Sequence, residues 1–132
     1  MSTLARDILV VDDDPDLRAL LLRWLAALGH PVHGLADGPA ALAWLQHRRP
    51  ALVITDLRMA GMDGIALVRE LQARDPLLPI IMLSGTDSVP EALRAMHLGL
   101  AAFVHKPVSQ TELLALVRRI LVSDAGAKSF GK

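Results

Sequence analysis

Short runs of apolar residues alternate along the chain with longer stretches in which apolar side chains recur every three or four positions. A run of about four to eight apolar residues predicts a buried strand, and the longer recurrence predicts a helix packed on one side. The pattern predicts five strands, at residues 8–11, 31–36, 51–55, 79–83 and 101–105. It predicts five helices, at residues 15–28 and at about 38–47, 64–74, 88–98 and 109–121.

Capping residues support several of these boundaries. Asp14 is expected to cap the first helix, with Pro15 in the first turn, and Gly29 to end it. Asp63 precedes the third helix, and Ser109 begins a capping box before the fifth. The helix positions are therefore predicted by two independent signals.

Strands that alternate with helices predict an α/β sheet, mostly or wholly parallel, with right-handed crossovers. The first, third and fourth strands are almost uniformly apolar, as expected for central strands covered on both faces. The second strand contains His33 and Gly34, and the fifth contains two alanines and a histidine, so both are expected at the edges. This predicts a doubly wound, five-stranded sheet of order 2-1-3-4-5.

The composition excludes several classes of protein. The 132 residues suffice for one domain, and 52% hydrophobic residues allow a real core. Lys and Arg total 14, as do Asp and Glu, so the basic excess typical of nucleic-acid binding is missing. There is no Cys, signal core or membrane-spanning run, so a cytoplasmic protein without disulfides, membrane contact or direct nucleic-acid contact is expected. Residues 1–122 are expected to form the domain, and 123–132 a flexible tail, linker or cloning remnant.

Polar side chains follow four of the predicted strands. Asp12 and Asp13 follow the first, Asp56 the third, Ser84 the fourth and Lys106 the fifth. The carboxyl ends of parallel strands meet at one edge of the sheet, where ligands bind in open α/β folds, so these side chains should converge. Three carboxylates beside one lysine repel one another unless a cation lies among them, and oxygen ligands in an open site favour Mg²⁺.

Such a cluster is suited to phosphoryl transfer. A carboxylate can act as the nucleophile in aspartyl-phosphate chemistry, and the reaction needs mainly positioning and charge neutralisation. Mg²⁺, Lys106 and Ser84 would each hold one phosphoryl oxygen. Taken singly, each residue has an ordinary explanation, since an Asp after a strand is usually a helix N-cap and Ser84 and Lys106 would be loop residues. Their shared position at one edge is what favours a site.

Four segments resemble, in this order, the motifs of the bacterial response-regulator receiver domain, a chemotaxis-regulator-like module: ILVVDDDP, LVITDLRMAGMDG, IIMLSG and FVHKP. The resemblance extends from about Asp7 to Val122 and implies the flavodoxin-like fold. It implies a two-component signalling module that catalyses only its own phosphorylation and dephosphorylation. A sensor histidine kinase or phosphotransfer protein would supply the phosphoryl group.

The resemblance assigns roles to four residues near the metal and the acceptor. Asp56 would be the phosphoacceptor. Mg²⁺, or Mn²⁺ in its place, would be held by Asp13 directly, by Asp12 mainly through water, by Asp56 and by the backbone carbonyl of Arg58. Arg58 and Thr86, two residues beyond the acceptor and the hydroxyl, would tune the lifetime of the phosphate.

The resemblance also assigns the groups that respond to phosphorylation. Ser84 would bond the phosphoryl group and move on activation, and Lys106 would pair with the same group. Pro107 would follow a cis peptide bond, and Phe103 would be the switch aromatic, with a core residue as the alternative. Ala60 stands where the family usually has Pro, which is expected to loosen the loop after Asp56.

Activation would change the face formed by the fourth predicted helix, the fifth strand and the fifth predicted helix. That face would contact an output domain or effector, and a homodimer can form on activation. In the first helix Leu22 lies off the expected core stripe, so it either widens the buried face or helps to dock the donor kinase.

Two rival functions are consistent with parts of the pattern. A haloacid-dehalogenase-type phosphohydrolase also uses a strand-end Asp, a Ser or Thr and a Lys, but places the nucleophile on the first strand and further acids after the Lys. Here only Glu112 and Asp124 follow Lys106, and neither follows a strand. A flavin binder of the same fold class would need a phosphate-cradling loop, and none is present.

Overall fold

The computed structural model describes residues 7–59, 61–85 and 97–130, with side chains described as far as Val122. Five strands form: β1 (Ile8–Val11), β2 (Val32–Leu35), β3 (Leu52–Asp56), β4 (Ile80–Ser84) and β5 (Ala102–His105). Four α-helices are described: α1 (Pro15–Leu25), α2 (Gly38–Trp44), α3 (Gly64–Arg74) and α4 (Gln110–Phe130). A 3-10 turn at Ala26–Leu28 extends α1 to the predicted end. The predicted helix at 88–98 falls mainly outside the described ranges, so α4 corresponds to the fifth predicted helix.

The strands form one parallel sheet of order β2-β1-β3-β4-β5, which confirms the predicted topology. In the central register Ile8 pairs with Leu52, and Asp56 pairs with Leu83. All side chains of β1, β3 and β4 are buried, whereas those of β2 are half-buried, as expected for central and edge strands.

The sheet separates two aliphatic clusters, because successive strand residues point to opposite faces. On one face Leu9 and Val11 pack with residues of α2 and α3, in what we call the α2–α3 cluster. On the other face Ile8 and Val10 pack with residues of α1 and α4, in the α1–α4 cluster. Helices therefore cover both faces, and the loops lie at the two ends of the strands. We call the end where the strands begin the amino-terminal edge and the end where they finish the carboxyl edge.

Aspartates begin the first three helices. Asp14 Oδ1 accepts the N–H groups of Asp16 and Leu17, and Pro15 follows it in the first turn, as predicted. Asp37 accepts the N–H of Ala40, and Asp63 that of Ala66, each at 2.8 Å. These bonds satisfy amide donors that a helix cannot pair within itself.

One predicted boundary needs correction. The last helix, predicted at about 109–121, does not end near residue 121 but continues through Phe130. Leu22 is half-buried and packs against the α1–α4 cluster, so it widens the buried face of α1. Within the described residues, no helix is both long and apolar enough to cross a membrane.

Candidate functional site

The predicted chemical residues do converge at the carboxyl edge of the sheet. Asp12 and Asp13 follow β1, Asp56 and Ser84 are the last residues of β3 and β4, and Lys106 follows β5. Hydrogen bonds between strand ends hold this edge together. Asp12 N–H donates to the carbonyl of Leu35 at 3.0 Å, and Lys106 N–H donates to the carbonyl of Ser84 at 2.7 Å.

Three carboxylates form the centre of the cluster. Asp12, Asp13 and Asp56 each contribute one oxygen, and these oxygens all lie within 4.8 Å of one another. The Asp12 side chain is fully buried and Asp56 is 6% exposed, whereas Asp13 is exposed. The cluster is thus open on the Asp13 side and enclosed behind the other two acids.

Asp56 is held by two donors on the same oxygen. Lys106 Nζ lies 3.1 Å from Asp56 Oδ1, and the Leu57 N–H donates to that oxygen at 2.9 Å. Burial raises the pKa of Asp56 above its ordinary value, while Lys106 acts to lower it. A carboxylate held in this way beside an ammonium group has a fixed position from which it could act as a nucleophile.

The Asp12 carboxylate is less completely satisfied. Its Oδ1 accepts the N–H of Asp14 at 2.9 Å, but its buried Oδ2 has no hydrogen-bond partner among the described residues. The pKa of Asp12 is raised from 3.8 to about 6, chiefly by burial and to a smaller extent by the negative charge of Asp56. A buried acceptor without a partner is costly, and a bound cation would remove that cost.

The donor set therefore fits a hard divalent cation. Three carboxylates at mutual ligand distance, one with an unpartnered buried oxygen, are the oxygen ligands that Mg²⁺ takes in proteins. Arg58 lies on the loop two residues after Asp56, where its carbonyl could complete the protein ligands.

The residues expected to respond to phosphorylation lie beside the cluster. Ser84 is buried, and its hydroxyl donates to the carbonyl of Gly85 at 3.0 Å. Phe103 is half-buried, packs against the α2–α3 cluster and contacts the His105 ring edge-on. The peptide bond between Lys106 and Pro107 is cis, as the resemblance implies. Thr86 and Ala60 lie outside the described residues.

Two residues that support the site were missed at the sequence level. A Cβ at Gly64 would lie 2.3 Å from the Asp56 carbonyl oxygen, so only glycine allows α3 to begin against the end of β3. Arg18 Nη1 donates to the carbonyl of Asp12 at 2.7 Å. The Asp63-Gly64 pair was visible as a helix start, but neither contact has a local sequence signature.

The comparisons with known proteins agree with this geometry. The model of the response regulator receiver domain matches residues 8–118. The chain is 38% identical over 115 residues to the C4-dicarboxylate transport transcriptional regulatory protein DctD of Rhizobium meliloti, which covers 87% of this chain and 25% of that protein. It is 36% identical over 112 residues to the DNA-binding transcriptional regulator NtrC of Salmonella typhimurium, with coverages of 85% and 24%. The solved receiver domain of NtrX from Brucella abortus matches with a TM-score of 0.81 at 37% identity, covering 87% of this chain and 98% of that one.

The fold and the acidic cluster together define a class of protein. This class is a doubly wound α/β domain with an acidic, lysine-containing site at the carboxyl edge of its sheet. Within that class the chain belongs to the response regulator receiver domain family, whose members are phosphorylation-controlled switches. The comparisons give no support to the phosphohydrolase rival. The chain spans about a quarter of the length of the curated relatives it matches.

Proposed function

We propose that Asp56 is the residue that receives the phosphoryl group, from a sensor histidine kinase or a phosphotransfer protein. The observation that carries this proposal is the buried Asp56 carboxylate with Lys106 Nζ at 3.1 Å and two further acids at ligand distance. An Asp56 oxygen attacks phosphorus and forms an acyl phosphate. The bond from phosphorus to the donor imidazole nitrogen breaks, and that nitrogen keeps the electron pair and takes up a proton.

The surrounding side chains would hold the reacting groups. Lys106 stays beside the acceptor and pairs with a phosphoryl oxygen as charge accumulates there. Asp12, Asp13, Asp56 and the carbonyl of Arg58 would hold Mg²⁺, or Mn²⁺ in its place. When bound, that cation supplies positive charge to the phosphoryl oxygens. Its charge also offsets the repulsion among the three acids.

The switch would involve Ser84 and Phe103. Ser84 now donates to a neighbouring backbone carbonyl, a bond that it can exchange for a stronger one to a phosphoryl oxygen. The half-buried Phe103 ring can then turn inward beside the displaced hydroxyl. Arg58 and Thr86 would tune the lifetime of the phosphate. The changed face would include β5 and α4, and we propose that it controls an output domain or effector, with homodimer formation on activation.

The names of the relatives suggest the kind of output. DctD and NtrC are both called transcriptional regulators. We propose that this domain controls a transcriptional output in the cytoplasm and leaves DNA contact to another part of the system, since its formal charge is zero.

The acceptor assignment is tested by phosphorylation with acetyl phosphate and Mg²⁺, followed by intact mass. Wild type should gain one alkali-labile phosphoryl group, and Asp56→Asn should gain none. Asp75→Asn is a matched control, because Asp75 lies at the end of α3 and its Oδ1 accepts the N–H of Leu77. Labelling of Asp56→Asn at the wild-type level would overturn the assignment.

A further inference from the structure

Arg18 holds the main chain of the acidic loop at two points. Its backbone N–H donates to the carbonyl of Asp14 at 3.0 Å, which begins α1. Its side chain turns back, and Nη1 donates to the carbonyl of Asp12 at 2.7 Å. With the Asp12 N–H bonded to Leu35, both backbone polar groups of Asp12 are therefore fixed.

Gly34 leaves the space that this arrangement needs. Gly34 pairs with Val10 in the sheet, one strand away from the acidic loop. A Cβ at Gly34 would lie 2.9 Å from Leu22 Cδ1 and 3.1 Å from Arg18 Cγ. A larger residue would require Leu22 Cδ1 to move and the aliphatic stem of Arg18, by which the guanidinium reaches Asp12, to shift slightly.

The choice of acceptor atom distinguishes Arg18 from an ordinary charge partner. The guanidinium bonds the main-chain oxygen of Asp12, while Oδ2 of the same residue stays without a partner in the described part of the chain. An arginine on the carboxylate itself would compete with a cation for that oxygen. Bonded to the carbonyl, it restrains the acid and leaves its ligand atom available.

We propose that Arg18, with Gly34 making room for it, is a positioning residue that sets the affinity of the acidic cluster for a divalent cation. The proposal rests on the cation site in the proposed function. Arg18 touches neither the acceptor nor the cation. It acts through the Asp12 main chain, which fixes where the Asp12 carboxylate meets those of Asp13 and Asp56.

The direct test is calorimetric titration of the metal-free protein with Mg²⁺ alone. Arg18→Met keeps the apolar stem and removes the donors, and should weaken Mg²⁺ binding roughly tenfold, the size of effect expected for a lost charged hydrogen bond. Arg18→Lys should lose less, because an ammonium group keeps one donor. Arg23→Met, at an exposed position of the same helix, is the matched control and should bind as wild type does.

A second readout needs no metal. In Arg18→Met the amide hydrogen of Asp14, which bonds Asp12 Oδ1, should exchange several-fold faster, while the amide of Leu21 inside α1 keeps its wild-type rate. A purely structural role would instead raise exchange along the whole helix and leave Mg²⁺ affinity within about twofold of wild type, and that result would overturn the proposal.

Gly34→Ala, on β2, perturbs the same contact between Arg18 and the Asp12 carbonyl. It should also weaken Mg²⁺ binding, and in the Arg18→Met background it should add no further loss, because the stem that it displaces no longer carries the donors. Fully additive losses would show that the two residues act independently and would contradict the proposal.

These outcomes separate the inference from the proposed function. If wild type binds Mg²⁺ and Arg18→Met binds it with the same affinity, the inference is overturned and Asp56 remains the proposed acceptor. Phosphorylation that persists in Asp56→Asn overturns the acceptor and leaves the Mg²⁺ comparison valid. Wild type that binds no Mg²⁺ removes the cation site and this inference together.

Discussion

The two ends of the sheet carry buried or half-buried acids in different ways. At the amino-terminal edge, Asp7 has two basic neighbours on one oxygen: His33 Nε2 lies 2.7 Å away and Arg48 Nη1 lies 3.5 Å away. The Trp44 ring contacts both of these side chains, with the His33 ring 5.2 Å and the Arg48 guanidinium 5.4 Å from it. This is a structural cluster in which one acid lies against one cation, Arg48, and against a histidine whose Nε2 makes a close contact without a hydrogen bond among the described residues.

At the carboxyl edge the balance is reversed. Three acids there face Lys106, and Asp12 keeps a buried oxygen without a partner among the described residues. An arrangement optimised for stability would have neutralised or removed one of these acids. The difference between the edges indicates that the carboxyl edge is suited to binding a cation.

The largest expected effect comes from removing the lysine at the carboxyl edge. Lys106→Met keeps the stem but leaves the acceptor without its ammonium group, so phosphorylation by acetyl phosphate at saturating Mg²⁺ should slow about 100-fold, as when one charge-stabilising donor is removed. Arg48→Met deletes a cation at the opposite edge and should leave the rate unchanged. The measurement is the initial rate of phosphoprotein formation. Equal rates in Lys106→Met and wild type would remove Lys106 from the reaction.

The next effect is on stability and has a defined pH window. Because the pKa of Asp12 is raised from 3.8 to about 6 in the folded protein, the native state binds more protons than the unfolded chain between these values. The stability of the metal-free protein should therefore fall as pH rises through that window, and the loss should be complete above it. Asp12→Asn cannot ionise and should be more stable than wild type by about 3 kcal/mol above pH 7 and by little near pH 4.

Urea unfolding of both proteins in EDTA measures this difference directly. The quantity to plot is the free energy of unfolding of Asp12→Asn minus that of wild type, because carboxyl groups that do not interact with Asp12 cancel in this difference. Added Mg²⁺ should stabilise wild type above pH 7 and reduce the difference. A difference that stays flat from pH 4 to pH 8 would contradict a raised pKa at Asp12.

The smallest effect is expected at the amino-terminal edge and has the opposite sign. Asp7→Asn removes an acid that is matched by basic groups, so it should destabilise the protein by about 0.5–1 kcal/mol at pH 7, in the range of partly exposed ion pairs. Urea unfolding under the same conditions gives the comparison. If Asp7→Asn were stabilising, as Asp12→Asn is expected to be, the contrast between the two edges would not hold.

The sequence was sufficient to predict the sheet and the position of the site. The uniformly apolar runs at 8–11, 51–55 and 79–83 required central strands, and parallel connections then placed Asp12, Asp56 and Ser84 at a common edge. The predicted ends of β3 and β4 were wrong by one residue. Asp56 and Ser84 are the last residues of these strands and do not follow them. The end of the last helix was predicted near residue 121, whereas the helix continues through Phe130.

Contacts between distant segments could not be predicted. The bond from Arg18 to the Asp12 carbonyl depends on the path of one side chain past Gly34, and β2 is separated from the acidic loop by the whole of α1. The unpartnered Asp12 oxygen is likewise a property of packing and not of the motif. Residue types and spacing predicted the candidate reacting groups, whereas the restraint and protonation of these groups depend on the folded structure.

One measurement tests the central claim most directly. The protein is phosphorylated with acetyl phosphate and Mg²⁺, then reduced with borohydride, which converts an aspartyl phosphate to homoserine, and its peptides are sequenced by mass spectrometry. The account predicts homoserine at position 56 and unmodified aspartate at positions 12 and 13. Homoserine at either of those two positions, or at none in the presence of stoichiometric phosphate, would contradict it.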